Sequence, residues 1–293
     1  MDITLSIITI NYNGLKDTCE LIDSLPLEDR SIEVIVVDNA SKNGEASIIE
    51  ERYPAVKVIR SHKNLGFAGG NNIGINAAHG KYLFFINNDT TLKPHTSDIN
   101  HLILRLESDE TIGIACPKIR FAWDDNPIQF AGYTPLSRFT MRNRSIGFGE
   151  EDQGQYDTAH PTPYAHGAAM LVKRNAIEKV GLMPECYFLY YEELDWSMMF
   201  TRAGYSIWYE PACTIYHKES QSTGQQSPLK AYYLTRNRLL FVKRNIQGLR
   251  KYITYTYLIF LVAPRDICKY LLHRQLNLVS ATIKGIMNLK FEK

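Results

Sequence analysis

Four compact apolar runs near the N-terminus constrain the fold of this 293-residue chain more than any other feature. Residues 5–10, 32–37, 56–59 and 82–86 are rich in β-branched or aromatic side chains, with little polar interruption. Strands of such near-continuous hydrophobicity are covered on both faces, as in a parallel sheet. Helix-compatible stretches near 15–24, 43–52 and 70–78 separate them. A βαβαβ order of this kind requires right-handed crossovers and places ligands at the carboxyl ends of the strands. The expected class is α/β, with a Rossmann-like, mostly parallel central sheet flanked by helices.

Beyond residue 120 the pattern changes. Residues 121–163, including 124–127, 138–144 and 147–154, read as an irregular segment with weak periodicity. Long loops inside a compact domain are usually functional or mobile. Order returns with a strand-like run at 168–172, a helix near 192–203, strand-like runs at 206–209 and 214–217, and a long helix from about 229 to 245. An apolar run over 253–263 is expected to stop at Pro264. It falls short of the ~20 apolar residues that a spanning helix needs. Its basic flanks, Arg250, Lys251, Arg265, Lys269 and Arg274, suit a helix lying in a membrane interface, while its apolar body equally suits a core helix packed on the domain.

Charge divides the chain the same way. Residues 1–229 hold 20 Lys+Arg against 29 Asp+Glu, whereas residues 230–293 hold 13 against 2. The division suggests a body over 1–228 and a basic helical C-terminal extension over 229–293. An acidic body with its basic excess in an apolar tail fits nucleic acid poorly. Five scattered cysteines (19, 116, 186, 213 and 268) without a CxxC read as reduced thiols, neither a disulfide scaffold nor a cysteine zinc site. No basic stretch precedes the first apolar run, so no signal peptide is expected.

The chemistry-bearing motifs fall where strands end. Asn11-Tyr12-Asn13-Gly14 follows the first strand and Asp38-Asn39-Ala40-Ser41 closes the second. An aromatic ring can cover a base or sugar and an Asp can accept from a nucleobase or ribose, although Asn, Asp and Gly are also ordinary turn formers. Asn64-Leu65-Gly66-Phe67-Ala68-Gly69-Gly70-Asn71-Asn72 opens a helix. It serves either close helix–sheet packing or phosphate at free N–H groups. Its spacing is neither GxGxxG nor a Walker A, which disfavours a dinucleotide dehydrogenase or a P-loop NTPase. Asn87-Asn88-Asp89 ends the fourth strand, where a carboxylate could hold a hard divalent cation together with substrate phosphates. Glu192-Glu193-Leu194-Asp195 starts a helix, where acids favour the dipole. Glu192 and Asp195 share a face, and one acid of the three could serve as a base. His217 lies just past a strand.

Taken in order, these motifs resemble the family 2 glycosyltransferases with the GT-A fold, and within them the rhamnosyltransferase-like branch. The likeness runs over residues 4–245 and includes 167–171, 181–195 and 233–245; it implies that the body over 1–228 is a glycosyltransferase domain with a nucleotide-binding half (1–120) and an acceptor-binding half (121–228). It implies that Ile10, Asn11, Tyr12 and Asp38 hold the nucleoside of a sugar nucleotide, with Asn64, Gly66 and Asn72 along the ribose, phosphate or sugar path. Asn87, Asn88 and Asp89 match the family's DXD metal motif with Asp89 as ligand, and His217 matches its second metal-associated position. The implied cofactor is Mg²⁺ or Mn²⁺. Glu193, paired with Glu192, matches the catalytic base. Asn at 87 and 88 leaves one carboxylate for the metal, and the base is Glu where the family generally has Asp.

The resemblance further implies an inverting transferase that moves a sugar such as rhamnose from a dTDP- or UDP-linked donor to a polysaccharide or lipid-linked glycan. Its expected location is the cytoplasmic face of the cell membrane, with peripheral contact through 250–274. A nucleotidyltransferase is the nearest enzymatic alternative, but Asn11-Tyr12-Asn13-Gly14 offers no Lys or Arg for a phosphate. A non-catalytic sugar-nucleotide or membrane-binding module remains a third reading.

Overall fold

The computed structural model describes residues 3–123, 125–219 and 227–289; Asp124 of the irregular segment, Ser220 beyond His217 and residues 290–293 of the extension lie outside these. The N-terminal half follows the expected alternation. Strand β1 (Leu5–Asn11), helix α1 (Leu15–Asp23), β2 (Ile32–Asp38), α2 (Glu45–Arg52), β3 (Lys57–Arg60), α3 (Gly66–Ala77) and β4 (Tyr82–Ile86) succeed one another. All five residues of β4 are buried, as a strand covered on both faces requires. Helix α3 begins four residues before the stretch expected from sequence, because its glycines belong to the helix. A Cβ on Gly70 would lie 2.8 Å from Ile10 Cδ1 and one on Gly74 2.4 Å from Ile8 Cγ2, so the small residues let α3 seat directly on β1.

The second half contains β5 (Thr90–Thr91), α4 (Asn100–Glu107), β6 (Ile112–Phe121), β7 (Ile128–Phe130), β8 (His160–Pro161), β9 (Ala169–Lys173), α5 (Arg174–Val180), α6 (Glu192–Arg202) and β10 (Ser206–His217). The sheet order is β3-β2-β1-β4-β9-β6-β10-β5, with β7 on β6 and β8 on β10. Strands β3, β2, β1 and β4 are mutually parallel, and so are β6 and β10. Strand β9 runs antiparallel to both β4 and β6. Two reversals cancel, so β6 and β10 point the same way as β4. The carboxyl ends of β1, β2, β4, β6 and β10, and the amino end of β9, therefore share one edge.

Three readings from sequence need correcting. The runs at 206–209 and 214–217 are one strand, β10, whose register against β6 shifts between Glu210 and Thr214. The ten-residue strand β6, all of whose first eight residues (Ile112 through Ile119) are buried, carried no separate strand assignment from sequence. Pro264 does not end the apolar helix. Helix α7 (Pro228–Asn245) is followed by α8 (Gly248–Tyr257), a π-helical turn (Leu258–Val262), α9 (Ala263–Leu272) and α10 (Leu276–Met287). Proline lacks an N–H and its ring crowds the carbonyl four residues back. The wider π-turn, in which Ala263 N donates to Leu258 O, carries the helix across that point.

Two apolar clusters hold the chain together. The larger lines both faces of the sheet. The smaller joins Tyr187, Tyr191 and Leu194 to Leu239, Phe241 and Val242 of α7 and to Leu258 and Val262 of the π-turn. The basic C-terminal helices are thereby packed onto the segment that leads into α6.

Candidate active site at the carboxyl edge of the sheet

The shared edge gathers groups that are remote in sequence. Asp89 lies three residues past β4 and His217 ends β10. Because the two strands point the same way, Asp89 Oδ1 and His217 Nε2 meet at 3.1 Å. The next residue fixes the approach, since Lys218 N donates to Asp89 O at 2.9 Å. On its far side the imidazole faces Gln129 of β7, with Nδ1 at 2.8 Å from Oε1. Burial pushes the Asp89 carboxyl up, but the hydrogen bond and charge of His217 outweigh it and leave the group below the usual carboxylate range. Asp89 thus stands as an ionised oxygen donor beside an oriented ring nitrogen.

The acid pair of α6 reaches the same edge from another side. Asn87 N donates to Ala168 O at 2.9 Å, which ties the start of the Asp89 loop to the segment before β9. A Cβ on the adjacent Gly167 would lie 3.8 Å from both Glu193 Cγ and Phe67 Cζ. Next to Gly167 the His166 ring stacks on Tyr133, at a centroid distance of 5.7 Å and an interplanar angle of 11°. Burial, with a smaller push from His217, pulls the His166 imidazole down to about 3, so it forms a neutral wall. Burial, and next the charge of Glu193, push the Tyr133 hydroxyl well above its usual value.

The three acids of α6 differ in circumstance. Asp195 is buried and tied to α7: it accepts from Tyr187 Oη at 2.9 Å, from Asn245 Nδ2 at 2.8 Å and from Arg244 Nε. Its lone pairs are spent on packing α6 against α7, which leaves it no part as a base. Glu192 is 3% exposed and its Oε2 has no hydrogen-bond partner. Burial, and then the adjacent Glu193, raise its carboxyl well above the usual range, so it holds its proton at neutral pH. Glu193 is half-buried, and desolvation lifts it to about 7. One acid of the pair is neutral and the other poised near neutrality.

A stability effect follows from Glu192. A carboxyl whose pKa is higher in the folded state binds protons more readily there, so its ionisation costs stability as pH rises above the unfolded value of ~4.3. Glu192→Gln is expected to raise the melting temperature at pH 8 and to leave it almost unchanged at pH 4. A stabilisation of about 1 kcal/mol would appear as about 2–4 °C in thermal unfolding.

The loop into α6 is strained and braced. Phe188, Tyr190 and Tyr191 all have positive φ (69°, 69° and 78°), a region that costs about 1–3 kcal/mol per non-glycine residue unless its surroundings enforce it. Fully buried Asn237 of α7 enforces it here, donating through Nδ2 to the carbonyls of Tyr187, Leu189 and Tyr190 at 2.7–3.0 Å. Gly66 meets this loop at closest approach. Its φ is +71°, and a Cβ there would lie 2.0 Å from Phe188 O.

The residues expected along the donor path fall into two groups. Tyr12 is 47% exposed just past β1, and Asp38 is buried at the same edge. Ile10 packs beneath α3. Others are bound inward. Asn11 Nδ2 faces Asp38, Ser41 and Glu45 at 2.9–3.0 Å, while its Oδ1 accepts from Thr18. Asn64 Oδ1 takes hydrogens from Asn39 and from Gly66 N. Asn72 clamps Met183 and Glu185. Asn88 turns to Thr18 of α1 and not toward Asp89. Gly66 N and Phe67 N are already satisfied, by Asn64 and Phe188, so these two donors at the α3 start serve the loop and not a phosphate. Sequence reasoning did not single out Gln129, Tyr133 or Asn237 for these roles; a Gln inside the apolar run Ile128-Gln129-Phe130 was the one available signal.

Solved structures supply the class of this architecture. A mannosyltransferase from Pyrobaculum calidifontis, in complex with GDP-Man and Mn²⁺, is similar with a TM-score of 0.60 at 15% identity, over 100% of this chain and 88% of that one. The S. aureus TarS fragment 1–349 in complex with UDP-GlcNAc gives 0.56 at 17% identity, over 98% and 82%. The fold is that of the GT-A glycosyltransferases. The family profile described as glycosyl transferase family 2 matches residues 6–181, and the chain belongs to that family. A low-salt glycan biosynthesis hexosyltransferase of Haloferax volcanii is 25% identical over 97% of this chain and 90% of its own length. An N-acetylglucosaminyl-diphospho-decaprenol L-rhamnosyltransferase of Mycobacterium tuberculosis is 25% identical over 75% and 78%.

Proposed function

We propose that this glycosyltransferase transfers a hexosyl or rhamnosyl group, with inversion, from a dTDP- or UDP-linked sugar to a lipid-linked glycan or growing polysaccharide at the cytoplasmic face of the membrane. The carrying observation is the Asp89–His217 pair on the same sheet edge as Gly167 and the Glu193 side chain that faces it.

The donor set can accept a hard divalent cation, though only in part. Among the described residues no cluster of three or more His, Cys, Asp or Glu forms a site. One carboxylate and one imidazole are offered, and Gln129 beside Nδ1 leaves Nε2 turned toward Asp89. Such a pair would hold Mg²⁺ or Mn²⁺ with the donor's diphosphate completing the shell. The cation, when bound, would offset charge developing on the leaving nucleoside diphosphate.

The chain's own residues do the rest. A nucleoside diphosphate leaves without a protein acid, so a single base that takes the acceptor hydroxyl proton is sufficient. Glu193 is that base. Glu192, held neutral, keeps a second negative charge away from it, and Asp195 is engaged elsewhere. With Glu193 taking the proton, Glu192 neutral, Asp195 engaged with α7 and Asp89 paired with His217, none of these four described carboxyl groups is left to form a glycosyl-enzyme, so the acceptor attacks directly and the anomeric centre inverts. Tyr12 would cover the base and Asp38 would accept from the nucleoside.

Glu193 must be ionised to act, so transfer is expected to rise with pH through about 7 and then level off. Product formation between pH 5.5 and 8.5 at saturating donor checks this; a flat profile would remove Glu193 from the role. A thermal-shift panel of nucleotide sugars with Mg²⁺ or Mn²⁺ tests the donor class, and the absence of a metal-dependent shift with any of them would overturn the reading.

A further inference from the structure

Helices α8 and α9, joined through the π-turn, form one continuous rod over residues 248–272, about 37 Å long at 1.5 Å per residue. Its inner side is accounted for: Thr254, Leu258, Val262 and Ala263 are buried against the body. Its outer side is apolar and faces solvent. Leu249, Tyr252, Phe260 and Leu272 are 67–84% exposed, and Leu276 continues the surface past the turn into α10. Stray exposed apolar residues are ordinary, but a stripe along a whole rod is not.

Charge identifies the occupant. Between residues 248 and 289 there are six basic residues and a single acid, Asp266, which pairs with Arg265 at 2.7 Å. Arg250, Lys269, Arg274 and Lys284 are exposed along this region. A second copy of the chain would set like charges against each other. An anionic lipid surface accepts both features at once, apolar side chains into the acyl boundary and cations onto the headgroups. No helix among the described residues is long and apolar enough to cross a membrane.

We infer that the outer face of α8, the π-turn and α9 is a docking surface for an anionic bilayer, with the rod lying in the membrane plane. The inference stands apart from the sugar-transfer reading, since it uses none of the residues at the sheet edge. It deepens that reading where the acceptor is lipid-linked, because α7 joins the docking face to the loop that aims Glu193.

The test is cosedimentation of the full chain with phosphatidylcholine vesicles and with vesicles containing 30% phosphatidylglycerol. Each basic residue close to an anionic surface adds about five-fold to partitioning, so with the four exposed cations anionic vesicles should win by about 600-fold and lose most of that advantage in 0.5 M salt. The triple variant Tyr252→Ser, Phe260→Ser, Leu272→Ser should bind at least about ten-fold more weakly, with unchanged circular dichroism and unchanged metal-dependent binding of a soluble donor. Lys269→Gln with Arg274→Gln should weaken binding to anionic vesicles only. Equal partitioning of wild type and triple variant would overturn the inference. So would a wild-type dimer that the triple variant converts to monomer, because a second copy would then cover the face.

Discussion

Glu193→Gln is expected to lower the rate of sugar transfer by about 10²–10⁴-fold while leaving sugar-nucleotide affinity within a few-fold. The substitution keeps the size of the side chain and removes only its capacity to take a proton. The Glu193 side chain lies beside Gly167, and the isosteric amide fills the same space, so donor binding is expected to change little. The control is Glu192→Gln. That residue is held neutral by burial, and replacing it with a neutral isostere should leave the chemical step within about ten-fold. Transfer rates and donor affinities for the two variants therefore separate the two members of the pair. Full activity in Glu193→Gln together with loss in Glu192→Gln would reassign the base.

The second large effect concerns Asp89. With Asn at 87 and 88 it supplies the one carboxylate at this strand end. Loss of an outer-sphere partner already costs about 10–100-fold in metal affinity, so Asp89→Ala is expected to exceed that and abolish the Mn²⁺ dependence of donor binding. Gln129→Leu should fall inside that range, because it removes the partner that orients His217 and leaves both candidate ligands in place. Calorimetric titration of a nucleoside diphosphate, with and without Mn²⁺, measures both. Unchanged metal dependence in Asp89→Ala would place the cation elsewhere.

Much of the fold was legible because its first half is built from local signals. Apolar runs of strand length, each followed by a helix-compatible stretch, specify parallel βαβ units, and β1, β2, β3 and β4 lie within a residue of their expected bounds. The glycines of α3 were legible as glycines, yet both readings of them were open until Ile8 and Ile10 were seen beneath Gly74 and Gly70. The polar motifs lie at strand ends and at a helix start, and several of their side chains are tied to the chain itself. Asn11 and Asn72 sit at strand and helix positions that suit a ligand and spend their hydrogen bonds on the chain itself.

The amino-acid pattern by itself determined the class of fold, the strand ends at which the polar motifs fall and the split between acidic body and basic tail, since each is a matter of composition or of short-range period. Tertiary structure alone decided three further things. The reversed strand β9 restores the direction of β6 and β10 and so brings His217 beside Asp89. The clamp of Asn237 on a strained loop leaves Glu192 buried and Glu193 half-open. The packing of α8 and α9 turns one apolar face inward and leaves the other to solvent. Strand direction, loop strain and the choice of buried face are set by partners distant in the chain, and periodicity along a sequence carries no information about those partners.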